Sequence, residues 1–388
     1  MTVSVIVAAY NQADYLALAI RSVVAQTYAD WELWVVDDGS TDATPAVARS
    51  FLSDRRVHYV HQCNQGLSAA RNTGLRCSRG SLLTFLDSDD LFLSRKLEVL
   101  ARALEENGDL GFVAGQAILV DQTGRSLGEC FDRGIPEDHS LLLLGNPLHV
   151  GSVLLRREWQ QRVGMFDETL RSYEDWDMWL RLARVGCPMA SVPTPVSAYR
   201  FHTAQMTRIG EQMTRATFAV LDKVYGDPDL PAAWAARRDE AYSRAHLRAA
   251  AQAYTGRSYA LARKYVTNAV ELDPALLSDG SERLARLAAG WANHAKSGEP
   301  LRLLRSVYDN LPEALAGLRE RRNRDLAKEA LQLAFAAHGQ GKRTNARWRI
   351  LQAARYSPRV LLNRGVLSVL LQRRRPAVHD SRGGVQQA

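Results

Sequence analysis

Short apolar runs and amphipathic stretches alternate through the first ninety residues. Val3–Ala8 is an apolar run interrupted only by Ser4 and reads as a buried strand, and Asn11–Gln26 has helical spacing. Trp31–Val36 reads as a second strand, ending in Asp37-Asp38-Gly39-Ser40, after which Thr41-Asp42 opens a helix to about Phe51. Arg56–Val60 predicts a short strand, Leu67–Cys77 a helix and Leu82–Leu86 another strand. This strand–helix rhythm predicts an α/β domain with a doubly wound, largely parallel sheet. Beyond it, the pattern predicts a helix over 94–106, a strand over 110–120, a loop rich in Gly and Asp, a strand near 150–155 and a helix over 174–186. Cys187–Tyr199 holds three prolines and is expected to be an edge segment closing the domain.

From about Glu211 the pattern changes to Ala-, Leu- and Arg-rich helices, with a boundary signal at Asp227-Pro228-Asp229-Leu230-Pro231. Residues 246–276 align with 330–360 at a spacing of 84, pairing Ala262 with Ala346, Ala269 with Ala353 and Pro274 with Pro358. Each copy reads helix, Gly-containing turn, helix, proline, which resembles a tetratricopeptide hairpin. The expected division is 1–210 as the α/β domain, 211–233 as a linker or connecting helix, 234–372 as an all-α helical-hairpin domain and 373–388 as a disordered tail.

Charge sharpens this division. From residue 234 onward there are 28 basic and 13 acidic residues, net +15, whereas the preceding residues carry 22 and 29, net −7. A basic half points to an anionic membrane surface, an acidic partner or nucleic acid. Nucleic acid is disfavoured, because the arginines are scattered rather than set in a known motif. Cys63, Cys77, Cys130 and Cys187 lack Cys-x-x-Cys spacing, which argues against a zinc site and for a reducing compartment. No run approaches a membrane span, and Met1–Val7 has no signal-peptide shape. A cytoplasmic protein is expected, held peripherally at most on the inner face of the membrane.

Candidate chemistry gathers at the ends of the expected strands. Ala8-Ala9-Tyr10-Asn11, Asp37–Asp42, Gln65–Asn72 and Asp87-Ser88-Asp89-Asp90 all fall there. Loops at one end of a doubly wound sheet converge on one cleft. Three carboxylates within four residues repel one another unless something compensates them, and a hard divalent cation, Mg²⁺ or Mn²⁺, is the obvious candidate. A polar turn in which Asp90 or Ser94 caps the next helix is the competing reading.

Five segments carry a resemblance: Val-Ser-Val-Ile-Val-Ala-Ala-Tyr-Asn from Val3, Ser22–Tyr28, Val-Asp-Asp-Gly-Ser-Thr-Asp from Val36, Gly66 with Ala70-Arg71-Asn72, and Phe-Leu-Asp-Ser-Asp-Asp from Phe85. Together they resemble the nucleotide-binding half of the family 2 inverting glycosyltransferases of GT-A fold, which implies a doubly wound mixed sheet. The likeness continues through Tyr173–Trp176 and Tyr199–His202 and stops near residue 210. It implies a nucleotide site of Ala8, Tyr10, Asn11, Asp38, Gly66, Arg71 and Asp87. Tyr10 would stack on the base, Asp38 would accept from uracil or thymine N3–H, and Arg71 would face the ribose or pyrophosphate. It also implies a metal site of Asp89, Asp87 and His202, with Asp90 supporting. The base would come from Asp175 or Glu174, with Asp177 as a further alternative. The donor would be a UDP-, dTDP- or GDP-sugar, and the acceptor a surface glycan precursor, a lipid-linked glycan or a protein. The sequence lacks Gln-x-x-Arg-Trp, the motif of processive synthases, so transfer of one or a few sugars is expected. A noncatalytic nucleotide-sugar-binding scaffold, using its helices to bind a partner, is the alternative; the intact acidic clusters count against it.

Overall fold

A computed structural model describes residues 1–202, 210–294 and 300–371. The tail expected over 373–388 lies outside the described residues. By contacts the chain forms two units, Met1–Ala249 and Ala250–Ala388.

In the first unit, the apolar runs become β1 (Val3–Ala9), β2 (Trp31–Asp37), β3 (Val57–His61) and β4 (Leu82–Asp87). They pair in parallel in the order β3-β2-β1-β4. Between them run α1 (Ala13–Val24), α2 (Thr44–Arg49) and α3 (Leu67–Cys77). Beyond β4 the sheet becomes mixed, continuing through β8 (Val153–Arg156), β6 (Phe112–Val120), β9 (Met189–Arg200) and the two-residue β5 (Leu91–Phe92). This is the doubly wound mixed sheet expected of a GT-A domain.

Two local features depart from the expectation. The Gly- and Asp-rich segment after β6 forms a further strand, β7 (Ser126–Phe131), antiparallel to β6. Its residues are almost all exposed, so neither an apolar run nor a buried alternation marked it. The proline-containing segment is strand β9, which pairs with β6 on one side and with β5 only at Ser197 and Ala198 on the other. Pro193 and Pro195 precede that contact, where the β6 register shifts, so they interrupt little pairing.

Both faces of the sheet are covered. Leu16 and Ile20 of α1, with Leu97 and Leu100 of α4 (Lys96–Glu106), pack on Val5, Val7 and Leu33. On the other face, Leu75 of α3 and Met178 and Trp179 of α6 (Glu174–Arg184) pack on Ile6 and Phe85. Gly74 lets α3 approach β1 closely: a Cβ there would lie 2.4 Å from Ile6 Cγ2. Helix α5 (Arg157–Val163) lies between β8 and α6 in the chain.

Lys96 is a charged residue in an apolar place. Its side chain is fully buried, with the amine 2.5 Å from Thr84 Oγ1 and 3.3 Å from the Phe92 ring centroid. Burial holds its pKa well below the ordinary lysine value of 10.5. Between that lowered value and the ordinary one the unfolded chain holds more protons than the folded one, so this contribution to stability rises with pH through that window. Lys96→Met is expected to raise stability at about pH 7 by on the order of 1 kcal/mol and to flatten the rise toward about pH 9. Urea midpoints at the two pH values check this.

Helices α7 (Gly210–Tyr225), α8 (Ala232–Ala235) and the start of α9 (Arg238–Thr255) pack on this unit. Val220, Leu221, Trp234, Ala241 and Ala245 join Trp176 and Leu180 of α6 in one cluster. The apolar spacing of these helices is thus spent on the α6 face, including residues that the sequence pattern grouped with the helical half.

The second unit is all-helical: α10 (Tyr259–Leu272), α11 (Ser278–His294), α12 (Pro300–Asp309), α13 (Arg322–Gly339), α14 (Arg343–Tyr356) and α15 (Arg364–Leu371), with 3₁₀ turns at Pro274–Leu277, Glu313–Arg321 and Pro358–Leu362. Ala262, Ala269, Ala346 and Ala353 are fully buried, small residues where helices approach closely. Among the described residues no helix is long and apolar enough to cross a membrane.

Candidate functional site

The register of β1 fixes the floor of the cleft. Ala8 lies level with Val36 of β2 and Asp87 of β4, and Ala9 with Asp37. The carboxyl ends of three parallel strands thus share one edge, as the cleft requires. Tyr10, just past β1, is 48% exposed. Asn11 follows in the left-handed region, at φ 51°. It is held there by its amide N–H donating to Ser40 Oγ at 3.0 Å and by Thr41 N–H donating to its Oδ1 at 2.8 Å. Asp42 accepts from Ala13 N–H and Thr44 N–H, tying the starts of α1 and α2 together.

Asp38 is buried and organises the next loop. Its carboxylate accepts from Gln62 Nε2 at 2.7 Å, Gln65 N–H at 2.9 Å and Gly66 N–H at 2.7 Å. Gly66, at φ 98°, supplies a turn that an L side chain rarely adopts and starts α3. Asp37 is fully buried beside it and accepts from Ser40 N–H, Tyr59 Oη and His61 Nδ1. Burial opposes its charge, but these donors outweigh burial and hold its carboxyl below the usual range.

Arg71, on α3, is 2% exposed and joins two otherwise separate parts of the site. One guanidinium nitrogen donates to Asp87 Oδ1 at 2.5 Å and another to Glu174 Oε1. Burial disfavours its charge, but Asp87, Glu174 and Asp175 more than compensate. Tyr173 stands immediately before Glu174 at φ 60°, a strained conformation for a tyrosine, and turns the chain into α6.

Asp175 is placed differently from its neighbour. Its Oδ2 accepts from Asn146 Nδ2 at 2.9 Å, and it has no direct bond to Arg71. The amide orientation of Asn146 follows from Leu148 N–H donating to its Oδ1 at 3.1 Å. Burial and the adjacent Glu174 carboxylate push the Asp175 carboxyl up to about 7, against the pull of Arg71. A carboxylate titrating near neutrality suits general base work. Asp177, the further alternative, is turned away into pairs with Arg181 and Lys223 at 2.9 and 2.8 Å.

The acidic run divides into three environments. Asp87 is about one-third exposed and holds Arg71. Asp89 Oδ2 lies 2.8 Å from His202 Nε2, and the His202 ring packs 5.1 Å from Tyr15. Burial and Asp87 raise the Asp89 carboxyl, against the pull of His202. Asp90 is fully buried, accepting from Arg200 N–H at 2.8 Å and meeting His149 Nε2 at 2.8 Å. His149 Nδ1 continues to Ser197 Oγ at 3.1 Å, tying the run to β9. Asp90 is therefore a support for the loop.

The structure thus gathers Ala8, Arg71, Asp87, Glu174 and Asp175 on one connected edge, with Asp89 paired to His202 beside it and Asp38 with Gly66 at the base of α3. Sequence reasoning missed Asp37, Asn146 and His149. Asp37 stood in the quoted Asp-Asp-Gly-Ser motif but had no role. Asn146 and His149 lie in a segment without a periodic pattern, and only tertiary contact reveals them.

This geometry frames what comparison with known proteins finds. Residues 4–132 match the family model of glycosyl transferase family 2. The match falls on the parallel strands β1–β4 and the segment that follows them. Curated relatives include an uncharacterized glycosyltransferase of Rickettsia felis, 33% identical over 186 residues, covering 47% of this chain and 30% of the relative. Glycosyltransferase GlyA of Streptococcus pneumoniae is 44% identical over 105 residues, covering 27% of this chain and 15% of that one. The chain thus spans less than a third of the length of these relatives. S. aureus TarS superposes with a TM-score of 0.51 at 18% identity, over 85% of this chain and 54% of that one. The mannosyltransferase PcManGT of Pyrobaculum calidifontis, solved with GDP-Man and Mn²⁺, gives 0.53 at 20%, over 82% and 86%. These likenesses show a shared fold.

Proposed function

We propose that this chain is a non-processive inverting glycosyltransferase that moves one sugar from a nucleoside diphosphate sugar to a hydroxyl of a glycan, lipid-linked glycan or protein. The observation that carries the reading is Asp175: a carboxylate raised to about 7 and aimed by Asn146, beside the Arg71 bridge to the strand-end Asp87. Asp175 takes the acceptor hydroxyl proton as the oxygen attacks the anomeric carbon. The bond from that carbon to the diphosphate oxygen breaks, the diphosphate leaves with the electron pair, and the anomeric configuration inverts. Tyr10 offers an open aromatic face for the base, and aromatic stacking tolerates any base. Asp38 and Gly66 shape the neighbouring loop, and Arg71 fixes Asp87 toward the ribose.

By chemistry Asp87, Asp89 and His202, two carboxylates and an imidazole, would suit Mn²⁺ or Mg²⁺, which commonly complete their shell with substrate phosphates; as placed, Asp89 and His202 bond each other, Asp87 holds Arg71, and among the described residues no three such side chains converge as a metal site. Bound there, such a cation would offset the charge growing on the diphosphate.

The test is turnover of a panel of UDP-, dTDP- and GDP-sugars with Mn²⁺, with and without soluble acceptors, before and after chelation. Mn²⁺-dependent release of nucleoside diphosphate from one donor class supports the reading. Tight binding of nucleotide sugars without turnover on any acceptor would make the chain a binding scaffold. Asn146→Ala adds a finer check. Removing the donor to Asp175 should raise its pKa further, so the acid limb of kcat against pH moves to higher pH while the alkaline plateau persists.

A further inference from the structure

No Asp or Glu occurs between Glu329 and Asp380, and within this stretch Lys342–Leu371 carries six arginines and Lys342. On α14, Ala346, Ile350 and Ala353 are buried and form the packing face. Thr344, Arg347, Trp348, Leu351 and Arg355 fall within one ~100° stripe by helical spacing, opposite that face. All five are exposed, Trp348 by 50% and Leu351 by 58%. The same arrangement recurs on α15: Val366 and Val369 face inward, while Arg364, Leu367 and Leu371 face outward. Arg347 donates to Leu370 O at 3.1 Å, so the two outward stripes adjoin. Leu361 and Leu362, the latter 80% exposed, lie in the 3₁₀ turn that joins the helices.

On a solvated face charged and polar side chains predominate, whereas here Trp348 and Leu351 stand exposed among the arginines. A second copy meeting this face would bury Arg347 and Arg355 against a stretch that offers them no carboxylate. The final residues, Gln372–Ala388, contain four arginines against Asp380 and no aromatic or leucine, so their composition does not complement it. An anionic lipid surface accepts both halves of the pattern. Tryptophan and leucine enter the headgroup–acyl boundary while the arginines meet lipid phosphates. We propose that the outward face of α14, the 3₁₀ turn and α15 docks the helical unit on an anionic lipid bilayer.

The full chain should be sedimented with phosphatidylcholine vesicles and with vesicles containing phosphatidylglycerol. Binding is expected to the anionic vesicles only and to weaken with added salt. The double variant Arg347→Glu/Arg355→Glu should lose at least about tenfold in vesicle affinity. Trp348→Ser/Leu351→Ser should weaken binding even at low salt. All four side chains are exposed, so circular dichroism and nucleotide-sugar turnover should stay unchanged in both variants. The proposal is overturned by no binding to anionic vesicles, by equal binding to neutral ones, or by binding that survives both variants. It is overturned equally if the apolar variant abolishes a wild-type dimer in sedimentation velocity, which would assign the face to a second copy. Tighter binding of single-stranded RNA than of anionic vesicles would also overturn it.

Discussion

Asp175→Asn is expected to lower kcat by about 10³-fold, within the range lost when a general base is removed, while nucleotide-sugar binding persists. The wild-type profile gives the substitution its signature. A base must be deprotonated to act, and burial with Glu174 holds Asp175 up to about 7. Activity should therefore fall as pH drops through about 7, and the residual activity of the Asn variant should lose that limb. Stability runs the other way. The folded carboxyl binds its proton more tightly than the unfolded one, whose ordinary value is 3.8. The folded state therefore loses stability as pH rises from the ordinary value to about 7. The Asn variant avoids that loss, and its thermal midpoint should equal or exceed wild type at about pH 8. Glu174→Gln separates the two acids. Glu174 is committed to Arg71 in a buried pair, so its loss should disturb folding stability as well as turnover. Full turnover in Asp175→Asn, with the limb near pH 7 retained, would remove Asp175 from the base role.

The parallel strands were legible because each is a short, largely apolar run broken by single polar residues such as Ser4, Glu32, His58 and Thr84, and the motifs sit where those runs end. Residues that act by position alone were much less so. Asn146 and His149 belong to a segment whose conformation is set by Asp175, Asp90 and Ser197, each distant in sequence. Asp90 and Asp89 differ by one position, yet one is locked to His149 and the backbone of Arg200 while the other meets His202. Their separate roles follow from the pleat of the turn and the arrival of β9, neither of which composition encodes. Strand β7 escaped for a different reason: an exposed hairpin arm has no buried face to impose alternation. In the helices after Glu211, apolar spacing announced packing faces but not their partners, so the α6-covering role of Val220, Trp234 and Ala245 emerges only in three dimensions.

Arg71→Ala is expected to destabilise the fold by about 3–5 kcal/mol, the cost of breaking a buried ion pair from one side. The guanidinium is nearly inaccessible and satisfies two carboxylates at once, with Asp175 also contributing to its field. Its removal leaves Glu174 buried without a cation, and beside it Asp175, which already resists ionisation. The deficit should thus be greater at about pH 8, with the carboxylates charged, than at about pH 5. Chemical unfolding of both proteins at the two pH values measures this. Arg71→Lys isolates geometry from charge: a single ammonium keeps the counter-charge but cannot fork across two carboxylates on different elements. It should recover part of the stability and much less of the turnover, because Asp87 then loses the partner that aims it. Equal stability of Arg71→Ala and wild type at both pH values would show that the bridge between α3, β4 and α6 contributes no net energy.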